Sequence, residues 1–362
     1  MSAIEGRVSE IIREYDLQGW HRTGSEVDPA SAHWLADRAG QLGIEAALES
    51  LPFQRVDPGE NYVEIDGRRI DGMPLFDGSY TDAKGKSGNL GADGNIGVFD
   101  LAPNFGESAY RNARRSKDLA AIVAITTSNP PGLAPSNAPS FADPFGVPVL
   151  QISAEEREWL QAKAARGTTA KVVATATRTP ARAFNVVAEI AGSNAELPPI
   201  VVMTPRSGWW ECAAERGGGI AGWLEIMRSL SRAAPQRTVR FLASTGHELG
   251  HIGLRSFIDS NPDLPTEAEV WVHLGASIGA AVDWNPHLQT SDAEMETVAL
   301  KHLTDSQLTI VPTGEVRGGE AEQRITHPRT RTPVFLGRKL RRGRARGWDA
   351  GGEEGERRRE GK

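Results

Sequence analysis

Residues 199–205 read Pro199-Ile200-Val201-Val202-Met203-Thr204-Pro205, and the apolar run from Ile200 to Met203 is unbroken. A short continuous apolar run bounded by proline fits a strand buried on both faces of a parallel sheet. Before it, after a Gly192-Ser193-Asn194 turn is counted back, Ala183-Phe184-Asn185-Val186-Val187-Ala188-Glu189-Ile190 reads as another strand. Beyond it, a helix is expected over about Gly218 to Arg232, with Ile220, Leu224, Met227 and Leu230 on one face. Strands over Thr238–Ala243 and Ala268–Leu274 then enclose a short helix over Gly253–Ile258. This alternation predicts an α/β fold, with a mostly parallel central sheet and helices on both faces. Ligands of such sheets bind beyond the carboxyl ends of the strands. Here those ends are Met203–Gly208, Ser244–Glu248 and Leu274–Gly275.

Further out, Ile4, Val8, Ile11 and Ile12 recur at helical spacing over about Ser2–Tyr15, and a second helix is expected over about Pro29–Leu42. Ala46, Leu48 and Leu51 mark a strand leading towards Phe53. From about 56 to 165 the chain turns rich in Gly, Asp, Asn and Pro, with short apolar runs at Ile96–Phe99, Ala120–Ile125 and Pro148–Ile152. That pattern predicts a small β-rich insert. Residues 1–55 and 166–313 would form the core. From 314 to 362, stretches such as Gly337-Arg338-Lys339-Leu340-Arg341-Arg342 have no apolar periodicity and read as a solvated, disordered tail.

The 362 residues carry a net charge of −6, which gives no footing for nucleic acid or an anionic membrane. No run of about 18 apolar residues is present, and the N-terminus lacks the apolar core of a signal peptide. The single cysteine, Cys212, excludes an intramolecular disulfide and fits a reducing compartment. A cytoplasmic protein is expected, and composition says nothing of its oligomeric state.

His247-Glu248-Leu249-Gly250-His251 satisfies the HExxH pattern. On a continuous helix its histidines would share a face and bind zinc, with Glu248 as base. Gly246, Gly250 and Gly253 argue against a continuous helix here. The longer stretch from Phe184 to Ile258 resembles the co-catalytic zinc aminopeptidases, the family of bacterial leucyl aminopeptidases. Asn185–Gly192 matches the family's opening Asn-Val-Val-Ala-Glu-Ile-Ala-Gly, and Gly250–Phe257 keeps much of its Gly-Leu-x-Gly-Ser segment. Arg22-Thr23-Gly24-Ser25 is similar to the family's start, and the insert resembles a protease-associated domain.

The resemblance implies metal ligands at positions that this chain has altered. The first His falls on Arg206 and its Asp companion on Gly208. The bridging Asp falls on Glu215, and the catalytic Glu on His247. The ligand Glu is kept as Glu248, and a further ligand Asp falls on Gly275. Arginine stays protonated and repels a cation.

Two readings follow. In one, a single zinc is held by Glu215, Glu248 and one or two of His247, His251 and His273, and a small peptide or amide is hydrolysed with His247 or Glu248 in the catalytic role. In the other, no metal binds, Arg206 pairs with Glu215 or Glu248, and the pocket binds a small ligand. Trp209 and Trp210 either pack or form an apolar wall for a substrate side chain. Gly217-Gly218-Gly219, opening a helix, either allows close packing or offers N–H groups to an anion.

Overall fold

The computed structural model describes residues 2–101, 108–128, 131–276, 278, 284–290, 293–304, 311–315 and 334–339. Helices α1 (Ala3–Asp16) and α2 (Val27–Gly40) precede a long strand β1 (Ala46–Ile65), then β2 (Arg68–Asp71), β3 (Met73–Pro74) and β4 (Lys86–Asn89). The chain continues through β5 (Ile96–Leu101), α3 (Ser108–Arg114), β6 (Ala121–Thr126), β7 (Val149–Ile152) and α4 (Arg157–Ala164). A second long strand, β8 (Thr169–Ile190), returns to the core. It is followed by β9 (Ile200–Pro205), α5 (Gly218–Arg232), β10 (Val239–Ser244), α6 (Ile252–Ser260), α7 (Leu264–Glu267) and β11 (Val270–Leu274). The last described elements are β12 (Trp284–Thr290), α8 (Ala293–Thr304), β13 (Val311–Glu315) and β14 (Val334–Lys339).

The main sheet has the order β13-β12-β14-β11-β9-β10-β8-β1-β2, with β4 also paired to β8. Its centre is parallel: β9 lies between β10 and β11, and β14 runs parallel to β11. On the other side β8 is antiparallel to both β10 and β1. Alternation along the strands divides the core in two. Val202, Val186 and Phe241 face Tyr15, Leu35, Trp223 and Met227 of α1, α2 and α5. Val201, Met203 and Leu242 face Leu254, Phe257 and Leu264 of α6 and α7. Helices therefore cover both faces, as the apolar runs predict. A capping box between Ser2 and Glu5 starts α1.

Strands β1 and β8 are much longer than their sequence signals. They pair from Ala46↔Ala188 out to Ile65↔Ala170, with one irregularity between Pro58 and Asn61. A second sheet, β3-β7-β6-β5, packs on their far ends, where Val63, Ile65 and Val172 meet Ile96, Val123 and Leu150. The expected border near 56 falls inside β1, so the same two strands serve both sheets. Strands β5, β6 and β7 take the three apolar runs of the insert and are mutually parallel.

One expectation is corrected at the C-terminal end. Val334–Lys339 lies within the stretch read as a disordered tail, yet it forms β14 between β12 and β11. Its Val334-Phe335-Leu336 run supplies strand-forming residues that the arginines after it obscure. Residues 316–333 and 340–362, including His327, lie outside the described residues. Among the described residues, no helix is long and apolar enough to cross a membrane.

Candidate functional site

Three strand ends converge where the sheet topology places a ligand. β9 delivers Arg206 and Ser207, β10 delivers Thr245 to Glu248, and β11 ends on His273 and Leu274. The segment joining β10 to α6 is not a continuous helix. His247–Leu249 forms one 3-10 turn, Gly250 and His251 are left-handed (φ 71° and 57°), and α6 begins only at Ile252. The two histidines of the HExxH pattern therefore do not share a helical face. Their rings instead meet edge to face, 4.4 Å between centroids.

Glu248 is 1% exposed, and each of its oxygens is engaged. Thr23 Oγ1 donates to Oε1 at 2.6 Å, and Ser207 Oγ donates to Oε2 at 2.7 Å. The same hydroxyls accept from the backbone N–H of Gly246, at 3.0 Å and 2.8 Å. A buried carboxylate of this kind needs such donors, because charge without partners is expensive in the interior. Thr23 comes from the loop before α2, so the N-terminal segment completes the site.

Arg206 corrects the expectation that it pairs with Glu215 or Glu248. It is also 1% exposed, and its guanidinium turns away from both, to Asp28. NH2 reaches Asp28 Oδ1 at 2.6 Å, NH1 reaches the Asp28 carbonyl at 3.1 Å, and Nε reaches the Phe184 carbonyl at 3.1 Å. Thr245 Oγ1 adds a 3.2 Å bond to the same Asp28 oxygen. Arginine so enclosed is a structural ion, held because the donors of its fixed plane meet a carboxylate and two backbone carbonyls there. Sealed in this way, it is not placed to meet a substrate.

The cation beside Glu215 is Arg216. Its NH2 lies 2.7 Å from Glu215 Oε1, and its Nε donates to the Ser207 carbonyl at 2.8 Å. Burial alone would lower this guanidinium's pKa, but Glu215 and the neighbouring Cys212, Tyr15 and Glu248 hold it above the ordinary arginine value. Arg216 sits in a π-helical turn, Ala213–Gly217, entered through Cys212 in the left-handed region.

His273 is buried, and His247 half-buried, close to that charge. Burial pushes His273 down to about 3, with His251 and Arg216 pushing the same way. His247 is lowered well below the ordinary histidine value by burial, then by His251, Arg216 and His273. Both are neutral near pH 7. Neither ring nitrogen of His273 has a hydrogen-bond partner among the described residues.

Trp209 and Trp210 pack in different directions. Trp209 meets Phe76 edge to face and donates to Asn137 Oδ1 at 3.2 Å, which ties β9's end to the second sheet. Trp210 meets Trp20, also edge to face. The glycine run that opens α5 serves close packing at Gly219: a Cβ there would lie 2.6 Å from Thr204 Oγ1.

The expected metal set is not assembled. Glu215 is paired with Arg216, Glu248 is held by two hydroxyls, and the His251 ring meets His247 edge to face. Among the described residues, no three His, Cys, Asp or Glu side chains come together in a way that could hold a metal ion. The residues present do not fit a metal centre, because the Arg216 guanidinium already pairs with Glu215 and two hydroxyls already occupy the oxygens of Glu248. Sequence reasoning missed Thr23, Asp28, Ser207 and Arg216. One signal was available: a buried arginine at a strand end demands a carboxylate, and Asp28 precedes Pro29 at the start of α2.

Solved structures with this architecture are zinc aminopeptidases and their relatives. The zinc aminopeptidase BSAP from Bacillus subtilis superposes with a TM-score of 0.70 at 16% identity, over 92% of this chain and 84% of that one. The aminopeptidase from Aneurinibacillus sp. strain AM-1 gives 0.70 at 16% identity, over 91% and 84%. The chain has the fold of the zinc aminopeptidases. A peptidase M28 precursor from Shewanella amazonensis SB2B carries the same fold, at 0.69 and 15% identity over 92% and 86%. Neither a family model nor a curated protein sequence matches the chain. On this zinc aminopeptidase fold, Arg206, Gly208 and Gly275 stand at positions where the sequence resemblance expects metal ligands.

Proposed function

We propose that this chain uses the aminopeptidase fold to bind a small peptide or amide at the sheet's carboxyl end without hydrolysing it. The observation that carries this reading is the state of the two carboxylates. Glu215 is neutralised by Arg216 at 2.7 Å, and Glu248 accepts hydrogen bonds from the Thr23 and Ser207 hydroxyls. A Lewis acid at this place would have to displace that internal cation and those hydroxyls before it could polarise a substrate.

A metal-dependent peptidase with one zinc is the second reading, and the bare ring nitrogens of His273 favour it. Zinc content by mass spectrometry, on folded protein before and after zinc is added back, separates the two. Aminoacyl and peptidyl amides are assayed in parallel. The binding reading expects no stoichiometric zinc and no chelator-sensitive hydrolysis. About one zinc per chain, lost together with hydrolysis in Glu248→Gln, would replace it with the peptidase reading.

A further inference from the structure

A cavity of about 410 Å³ lies between the second sheet's loops and the turn that carries Glu248. Such a volume falls in the range of small-molecule sites. From the insert it takes Arg115, Asp143 and Phe145, and from the core Leu249, Ile252 and Arg255. The two units therefore contribute one arginine each.

Both walls are held in place. The Phe145 N–H donates to the Asp77 carbonyl at 3.0 Å, and Arg114, itself paired with buried Asp77 at 2.8 Å, lies over the Phe145 ring. Arg115 stacks on the same ring, 4.5 Å from its centroid. On the core side, Arg255 Nε donates to the Gly250 carbonyl at 2.8 Å, which leaves the outer edge of its guanidinium to the cavity. The walls join through the Ala138 N–H, which donates to the Glu248 carbonyl at 2.7 Å. No ion pair among the described residues involves Arg115, Arg255 or Asp143. Two guanidiniums without ion-pair partners among the described residues thus face one cavity that also takes Ser140 and Asp143, beside the apolar side chains of Phe145, Leu249 and Ile252.

We infer that this cavity is a binding site for a small organic monoanion, a carboxylate on an apolar stem. Arginine edges match a carboxylate's two oxygens, and Phe145, Leu249 and Ile252 cover the stem. Asp143 at the same wall leaves the lining with one net positive charge. That sum favours a monoanion over a dianion such as phosphate. The site lies outside the sheet-end network and stands whether or not that network hydrolyses a ligand.

N-acetyl-leucine and its uncharged analogue N-acetyl-leucinamide, titrated calorimetrically into the intact chain, test this directly. The acid is expected to bind at least tenfold more tightly than the amide, and more weakly as salt rises. Arg115→Gln and Arg255→Gln should each weaken the acid about tenfold. Both side chains are exposed, so unchanged melting temperatures will show that folding is intact. Asp143→Asn should tighten the acid and admit inorganic phosphate, which the unaltered chain should refuse. Acid and amide binding equally, and both weakened alike in the Arg115→Gln/Arg255→Gln double variant, would overturn the monoanion assignment; full affinity for the acid in that double variant would overturn the site. Phosphate outcompeting the acid in the unaltered chain would overturn the monoanion assignment. Zinc content and hydrolysis are separate readouts, so failure here leaves the sheet-end reading untouched.

Discussion

Arg206 NH2 and Asp28 Oδ1 lie 2.6 Å apart, although the two residues are 178 positions apart in sequence, and both side chains are shut off from water. The pair links the end of β9 to the start of α2, and Thr245 at the end of β10 bonds to the same carboxylate. Three segments that bound the candidate site thus meet at one ion pair. The charge at the expected ligand position has become scaffold.

Removing one partner leaves the other charged and buried, which costs about 3–5 kcal/mol. Asp28→Asn and Arg206→Met should each lower unfolding free energy by that order in urea titrations. The Asp28→Leu/Arg206→Met double variant should recover a substantial part, because neither charge then needs solvating. If the double variant is as unstable as the two single losses summed, the pair is not coupled as described.

Glu248 ties Thr23 to Ser207 through their two hydroxyl donors. Glu248→Gln presents an amide donor to either Thr23 or Ser207, each of which already accepts the Gly246 N–H. One buried donor then loses its acceptor, at a cost of about 1–3 kcal/mol. Ser207→Ala strips both the Gly246 N–H and Glu248 of a partner and should cost a similar amount. Stabilities at wild-type level in both variants would show that the network is not built this way.

The parallel centre of the sheet was legible because β9, β10 and β11 are short apolar runs between turn signals, and α5 carries its apolar face at helical spacing. The reach of β1 and β8 was not, since Gln54-Arg55-Val56-Asp57 and Thr177-Arg178-Thr179 are polar along their middle. What holds those stretches extended is their mutual pairing, a long-range fact that no local pattern encodes. At the site, Glu248 and the histidines stood out by chemical type. Their partners did not: Thr23 and Ser207 are common residues whose importance comes only from a fold that brings positions 225 and 41 residues apart onto one carboxylate.

Gly250 holds the junction between the two sheets. Its φ of 71° is left-handed, and a Cβ there would lie 2.6 Å from the Pro139 carbonyl oxygen. Gly250→Ala therefore adds about 1–2 kcal/mol of backbone cost to a clash that rigid backbone must absorb. The loop around Pro139 should be pushed off the core, so that limited proteolysis cuts it faster than in the unaltered chain. An unchanged cleavage rate would mean that the loop does not depend on this contact.

The buried histidines make stability fall in acid. In the unfolded chain they titrate near 6.5, whereas burial lowers His273 to about 3 and His21 to about 4. Folded pKa values below the unfolded ones mean that the unfolded chain binds more protons throughout that interval. Their contribution is thus fully present above about pH 6.5 and is lost as pH falls, by about 1.4 kcal/mol per pH unit for each histidine until its folded pKa is reached. His247 acts in the same direction. Urea titrations between pH 7 and 5 should show this loss, and His273→Leu should remove about one proton's worth of the slope. The leucine fills the buried site without a titrating group, so an identical slope in wild type and variant would show that His273 is already protonated in the folded chain.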